Sequence, residues 1–97
     1  MSNKRHPFND VLTLTAADTE YSYTFPIGTV SIQLKSRSGT RIKLAWTSGA
    51  SGTTYFSVGE GASYAEDGLN IAGRDALSIY AQCAVAGEVL ELVSWRA

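Results

Sequence analysis

The sequence predicts an all-β domain, an antiparallel β-sandwich or small jelly roll of about eight short strands. Three observations carry this. Apolar and polar residues alternate over short stretches, the period of a half-buried strand. Gly, Pro and Asp punctuate those stretches at close, regular spacing, as in sandwiches. Nowhere do apolar residues recur at i, i+3, i+4 and i+7 through two turns, so no long helix is expected. With 97 residues there is room for one core, and a chain of that size buries roughly 60 to 70% of its unfolded surface.

Residues 1–9 are polar and basic as far as Pro7 and Phe8 and show no period. They are expected to form a flexible N-terminal arm, with Phe8 against the body, ahead of a single domain over residues 10–97. The first strand begins at Asp10, with Leu12 and Leu14 on one face and Val11, Thr13 and Thr15 on the other. The second, residues 20–25, puts Tyr21, Tyr23 and Phe25 on one face, and Pro26 and Gly28 end it.

Residues 30–47 read as a β-hairpin around which the rest is organised. Val30, Ile32 and Leu34, then Ile42, Leu44 and Trp46 beyond a Ser38-Gly39 turn, make an apolar face that is expected to bury Trp46. Gln33, Lys35, Arg37, Arg41 and Lys43 make the opposite, basic face. Residues 47–53 are a small-residue loop that looks flexible. Tyr55, Phe56 and Val58 begin a fifth strand, residues 62–66 a sixth closed by Asp67-Gly68, residues 77–83 a seventh with Cys83 on its apolar side, and residues 88–95 an eighth.

Composition narrows the chemistry. A net charge of −1 removes the general electrostatic case for nucleic-acid binding, so a role there is not expected. Cys83 is the sole cysteine, which leaves no intrachain disulfide. The first residues lack an apolar signal core and no run is long enough to span a bilayer, so synthesis in a cytoplasm without membrane attachment is expected.

No catalytic, metal or cofactor site is expected either. His6, the one histidine, lies in the arm away from any partner, and Cys83 reads as a small buried hydrophobe with no histidine to activate it. Glu60, Glu66 and Asp67 cluster near glycines but lack the spacing of a calcium loop. Two surfaces are better candidates. Lys35, Arg37, Arg41 and Lys43 would dock an acidic partner surface or phosphates, although a charged face that solubilises a sheet and guards its edge gives the same pattern. In the last strand, Val89, Val93 and Trp95 share one face with Glu91 while Leu90 and Leu92 lie on the other, so both faces are largely apolar. Packing of the second face in an oligomer interface and its coverage by the arm remain equal alternatives.

The succession Tyr21-Ser22-Tyr23-Thr24-Phe25-Pro26, Ser31-Ile32-Gln33-Leu34-Lys35, Thr54-Tyr55-Phe56-Ser57-Val58, Ser63-Tyr64-Ala65-Glu66-Asp67 and Leu77-Ser78-Ile79-Tyr80-Ala81 resembles small β-rich virion proteins of tailed bacteriophages. The resemblance implies a non-enzymatic structural role in the virion: a capsid decoration or cement protein, a head-fibre base or a tail component. It also implies a symmetric homo-oligomer, a trimer by preference, in contact with other virion proteins such as the major capsid protein. The competing expectation is a carbohydrate- or receptor-binding sandwich in which Trp46, Tyr55 or Tyr64 stacks on sugars.

Overall fold

The chain is one long antiparallel hairpin rolled into two layers. The computed structural model describes residues 6–59, 61–67, 69 and 77–96. Its strands are β1 (His6–Leu14), β2 (Tyr21–Thr24), β3 (Thr29–Ser36), β4 (Ile42–Ala45), β5 (Phe56–Val58), β6 (Ser63–Glu66), β7 (Ser78–Gln82) and β8 (Glu88–Arg96). Strand β4 pairs with β5, β3 with β6, β2 with β7 and β1 with β8, all antiparallel, so the hairpin tip is the 47–55 connection. Rolling adds the β3–β8 and β4–β7 pairs and splits the ladder into two sheets, β1-β8-β3-β6 and β2-β7-β4-β5. This is the strand order of a jelly roll. The all-β sandwich expected from the alternation is thus the fold of the protein.

The proposed 30–47 hairpin is corrected by this topology. Strands β3 and β4 lie in different sheets, and the intervening turn, with Gly39 at φ 84°, carries the chain across the sandwich. Two strands facing each other across a core need the same alternation as two paired side by side, so the pattern fitted both arrangements. A close approach fixes the neighbouring corner: a Cβ on Gly59 would stand 2.9 Å from the Arg41 Cα and 3.1 Å from the Gly39 carbonyl oxygen. The expected arm is corrected over residues 6–9. Residues 6–9 belong to β1, where His6 pairs with Arg96, and Phe8 is 45% exposed rather than packed against the body. Residues 1–5 of that arm, Glu60 of the carboxylate cluster and Gly68 of the Asp67-Gly68 turn lie outside the described residues.

The inward positions of both sheets fill one core. Leu14, Phe25, Ile32, Leu34, Ile42, Leu44, Ile79, Leu90 and Leu92 are buried there, with Cys83 and Ala81 in the narrower gaps. The Ser36 side chain also points inward, and its hydroxyl is buried with no hydrogen-bond partner among the described residues. An unpaired buried hydroxyl costs about 1 to 3 kcal/mol of desolvation. Ser36→Ala removes that cost with little change of shape, so denaturant unfolding of the variant is expected to give a stability raised by about 1 kcal/mol; a loss of that size would mean that the hydroxyl is satisfied in solution.

The small-residue loop is held down rather than loose. It folds back over the outer face of the β2-β7-β4-β5 sheet, where the Glu20 carboxylate accepts from the Gly49 N–H at 2.8 Å, the Ser51 N–H at 3.2 Å and the Ser51 hydroxyl. Gln82 donates to the same hydroxyl at 3.2 Å, and Ser51 is fully buried. The Ser51 hydroxyl first, then the Gly49 N–H, hold the Glu20 carboxyl below its ordinary value of 4.5 against a smaller opposing effect of burial. A carboxyl depressed in the folded state contributes stability above its unfolded value and loses it as pH falls through the folded one. Protection of the Gly49 and Ser51 amides, taken relative to their intrinsic exchange at each pH, is therefore expected to fall once pH drops below 4.5. In Glu20→Gln that protection should already be low at neutral pH and no longer change with acid; unchanged protection would place the clasp elsewhere.

Candidate interaction surface

The outer face of the β1-β8-β3-β6 sheet is set out by register. Outward residues fall into rows across the strands: Pro7, Trp95 and Ser31; Asn9, Val93, Gln33 and Ala65; Val11, Glu91, Lys35 and Ser63; then Thr13 and Val89. Strand β8 is central, so Val89, Val93 and Trp95 sit in the middle of this face, half-buried by their neighbours alone. Val11, 44% exposed, lies opposite Glu91 and therefore diagonal to both Val89 and Val93. Those valines surround Glu91, whose carboxylate accepts from the Arg37 Nε at 2.8 Å. The centre of the face is thus an apolar patch around a paired charge.

The edges of the sandwich are less receptive than this face. Strands β2, β5 and β6 offer only three or four residues each. The long edge strand β1 contains Pro7, which has no N–H, and Asp10, whose carboxylate accepts from the Val11 N–H at 2.8 Å. Short edges, proline and a charge on the strand all discourage the addition of another strand. Asp10 also receives the Tyr23 hydroxyl. Burial first, then that hydrogen bond, push the Tyr23 phenol up to about 12.

Toward the Trp95 end, the same face carries a groove of about 410 Å³. It exists because small residues, Ser31 and Ala65, stand between larger ones. Trp95 forms one wall, and the β3–β6 register brings Asp67 to the far side of Ser31, with Gln33 alongside. Sequence reasoning singled out Trp95, and Glu66 and Asp67 as a carboxylate cluster, but not their meeting, because the depression arises from residues of three strands.

The four basic candidates are not brought together. Lys35 and Arg37 lie on the outer face of one sheet and Lys43 on the outer face of the other, with Arg41 leading into it. Arg37 is engaged with Glu91, and the Lys43 ammonium sits 5.0 Å from the centre of the Tyr55 ring. The single basic face expected of a hairpin is therefore absent, for the same reason that the hairpin is. Of the aromatics expected to stack on sugars, Trp46 and Tyr64 come together with centroids 6.3 Å apart, pack against Phe56 at 6.4 and 4.6 Å and line a pocket with Glu66, whereas Tyr55 lies apart beside Lys43. Trp46 faces inward as expected but is half-buried, because it lies where the sandwich opens. Cys83 is buried, its thiol donating to the Arg41 carbonyl at 3.3 Å. Among the described residues no group of three His, Cys, Asp or Glu could hold a metal ion, and Glu66 instead accepts from the Tyr64 hydroxyl at 3.0 Å.

With the topology established, comparison with known proteins bears on the fold. No family model matches the chain, and no curated protein matches its sequence. The chain is similar to the solution NMR structure of a de novo designed double-stranded β-helix, with a TM-score of 0.53 and 13% identity over 94% of this chain and 99% of that one. The likeness is one of fold. It agrees with the rolled-hairpin topology and extends to no partner or activity.

Proposed function

We propose that this protein is a non-enzymatic structural subunit of a tailed-phage particle, made in the host cytoplasm and incorporated into the virion through protein–protein contacts. The observation that carries the reading is the apolar patch of Val11, Val89 and Val93 around the Arg37–Glu91 pair, on a sheet face that the other described residues leave open. Open apolar patches of this kind mark interaction sites. The blunted edges favour docking by the face over strand addition. The first partner proposed is a second copy of the chain, in a closed trimer by the resemblance to phage accessory proteins; the assembled subunit would then meet other virion proteins such as the major capsid protein.

Thiol labelling tests which face is used. In Val93→Cys the new thiol is expected to react slowly at concentrations where the protein assembles and rapidly on dilution. The buried Cys83 serves as an unreactive internal control and Ser57→Cys, on the exposed face of the other sheet, as a reactive one. Equal rates for the two introduced thiols at every concentration would reject the face.

A further inference from the structure

We propose that the groove beside Trp95 is a pyranose-binding site. Its ligand class follows from its walls. A pyranose ring presents a flat patch of C–H bonds on one face and hydroxyls around its edge. It therefore needs an apolar aromatic surface on one side and acceptors on the other. The groove supplies the indole of Trp95 across Ser31 from the carboxylate of Asp67, with the Gln33 amide alongside as both donor and acceptor. A carboxylate has about four acceptor positions, so Asp67 can receive ligand hydroxyls alongside its contact within the chain. The small side chains of Ser31 and Ala65 form the floor and let a ring settle against the strands. At about 410 Å³ the space is within the range of small-molecule sites and suits one or two sugar units.

Other ligand classes fit less well. A phosphate or nucleic acid would meet the Asp67 carboxylate, a like charge. A purely apolar ligand would strip water from Asp67 and Gln33 without replacing its hydrogen bonds. The site lies at the Trp95 end of this face, whereas the proposed interface is centred two rows away, on Val11 and Val89 beside Glu91. The two proposals therefore stand separately.

The test uses the full chain with Trp46→Phe, so that Trp95 is the sole indole and Phe retains the aromatic packing with Phe56. Methyl α- and β-pyranosides of glucose, galactose and mannose, followed by the corresponding disaccharides, are titrated by indole fluorescence and by the shift of the Trp95 indole N–H resonance. At least one is expected to saturate both signals in the millimolar range. Trp95→Ala should abolish the response in amide resonances around Gln33, Asp67→Asn should weaken binding about tenfold, and Trp95→Phe should retain it. Absence of a saturable response to every sugar at 50 millimolar, the ceiling of the titration, or a response that survives Trp95→Ala, would overturn the site. Val89→Glu, on the same face but three rows from Trp95, is expected to disrupt assembly and to bind sugar like the parent, so a failed interface and a failed sugar site give different results.

Discussion

Phe25→Ala is expected to cost about 3 to 5 kcal/mol, the range for removing a buried aromatic from a core. Phe25 is 1% exposed and is among the largest side chains that the core encloses completely. Its ring meets Tyr23 edge to face, with centroids 5.1 Å apart and planes at 80°, and its N–H donates to the Leu77 carbonyl at 2.8 Å. Removing the ring leaves a hole between two sheets, each stiffened by its own ladder, so collapse can fill little of it. A domain of this length has a total stability on the order of 5 to 15 kcal/mol. The melting temperature should therefore fall by roughly 15 to 30 °C, if the variant folds at all. Ile27→Ala is the matched comparison, because Ile27 lies next to Pro26 but is 53% exposed; its change should stay within about 0.5 kcal/mol. Similar losses for the two variants in a calorimeter would show that Phe25 is not a core residue.

The second large effect concerns assembly. Val93→Glu sets a carboxylate two residues from Glu91, on the same outward face of β8 and diagonal to Val11. Arg37 already serves Glu91, and Lys35, opposite Glu91 and diagonal to position 93, could neutralise the new charge only by being drawn out of water into the interface with it. An unpaired charge taken out of water costs several kcal/mol, more than a modest interface can supply. The variant is expected to be monomeric where the parent is assembled. Its fold should be intact, because the Val93 side chain points away from the core formed by Leu90 and Leu92. A variant that sediments like the parent would move the interface off this face.

Much of the secondary structure was legible because alternation is a local property. The aromatic stripe of Tyr21, Tyr23 and Phe25, the inward Leu90 and Leu92 and the placement of Cys83 all follow from a period of two. Pairing was less legible. Ile32 and Leu34 in one sheet face the same core as Ile42 and Leu44 in the other, so the sequence pattern does not distinguish neighbours in a sheet from opposites across a sandwich. The pairing of His6 with Arg96 closes almost the full length of the chain, and no short-range signal announces it. The groove shows the same limit, since Ser31 and Ala65 acquire meaning only when β3 and β6 are side by side. The outward valines of β8 were visible in the sequence; Val11, their diagonal neighbour, could be added only after β1 was placed beside them. Glu20 gave no sign that it clasps the 47–55 connection, because its partners lie far along the chain.

The central claim is that the apolar centre of the outer face of the β1-β8-β3-β6 sheet, around Glu91, is closed by another copy of the chain. Sedimentation velocity of the parent protein across nanomolar to high-micromolar concentration tests it most directly. The account predicts a reversible shift from monomer to a single closed oligomer, a trimer if the resemblance to phage accessory proteins holds, and the loss of that shift in Val93→Glu. One monomeric species at every concentration would contradict it.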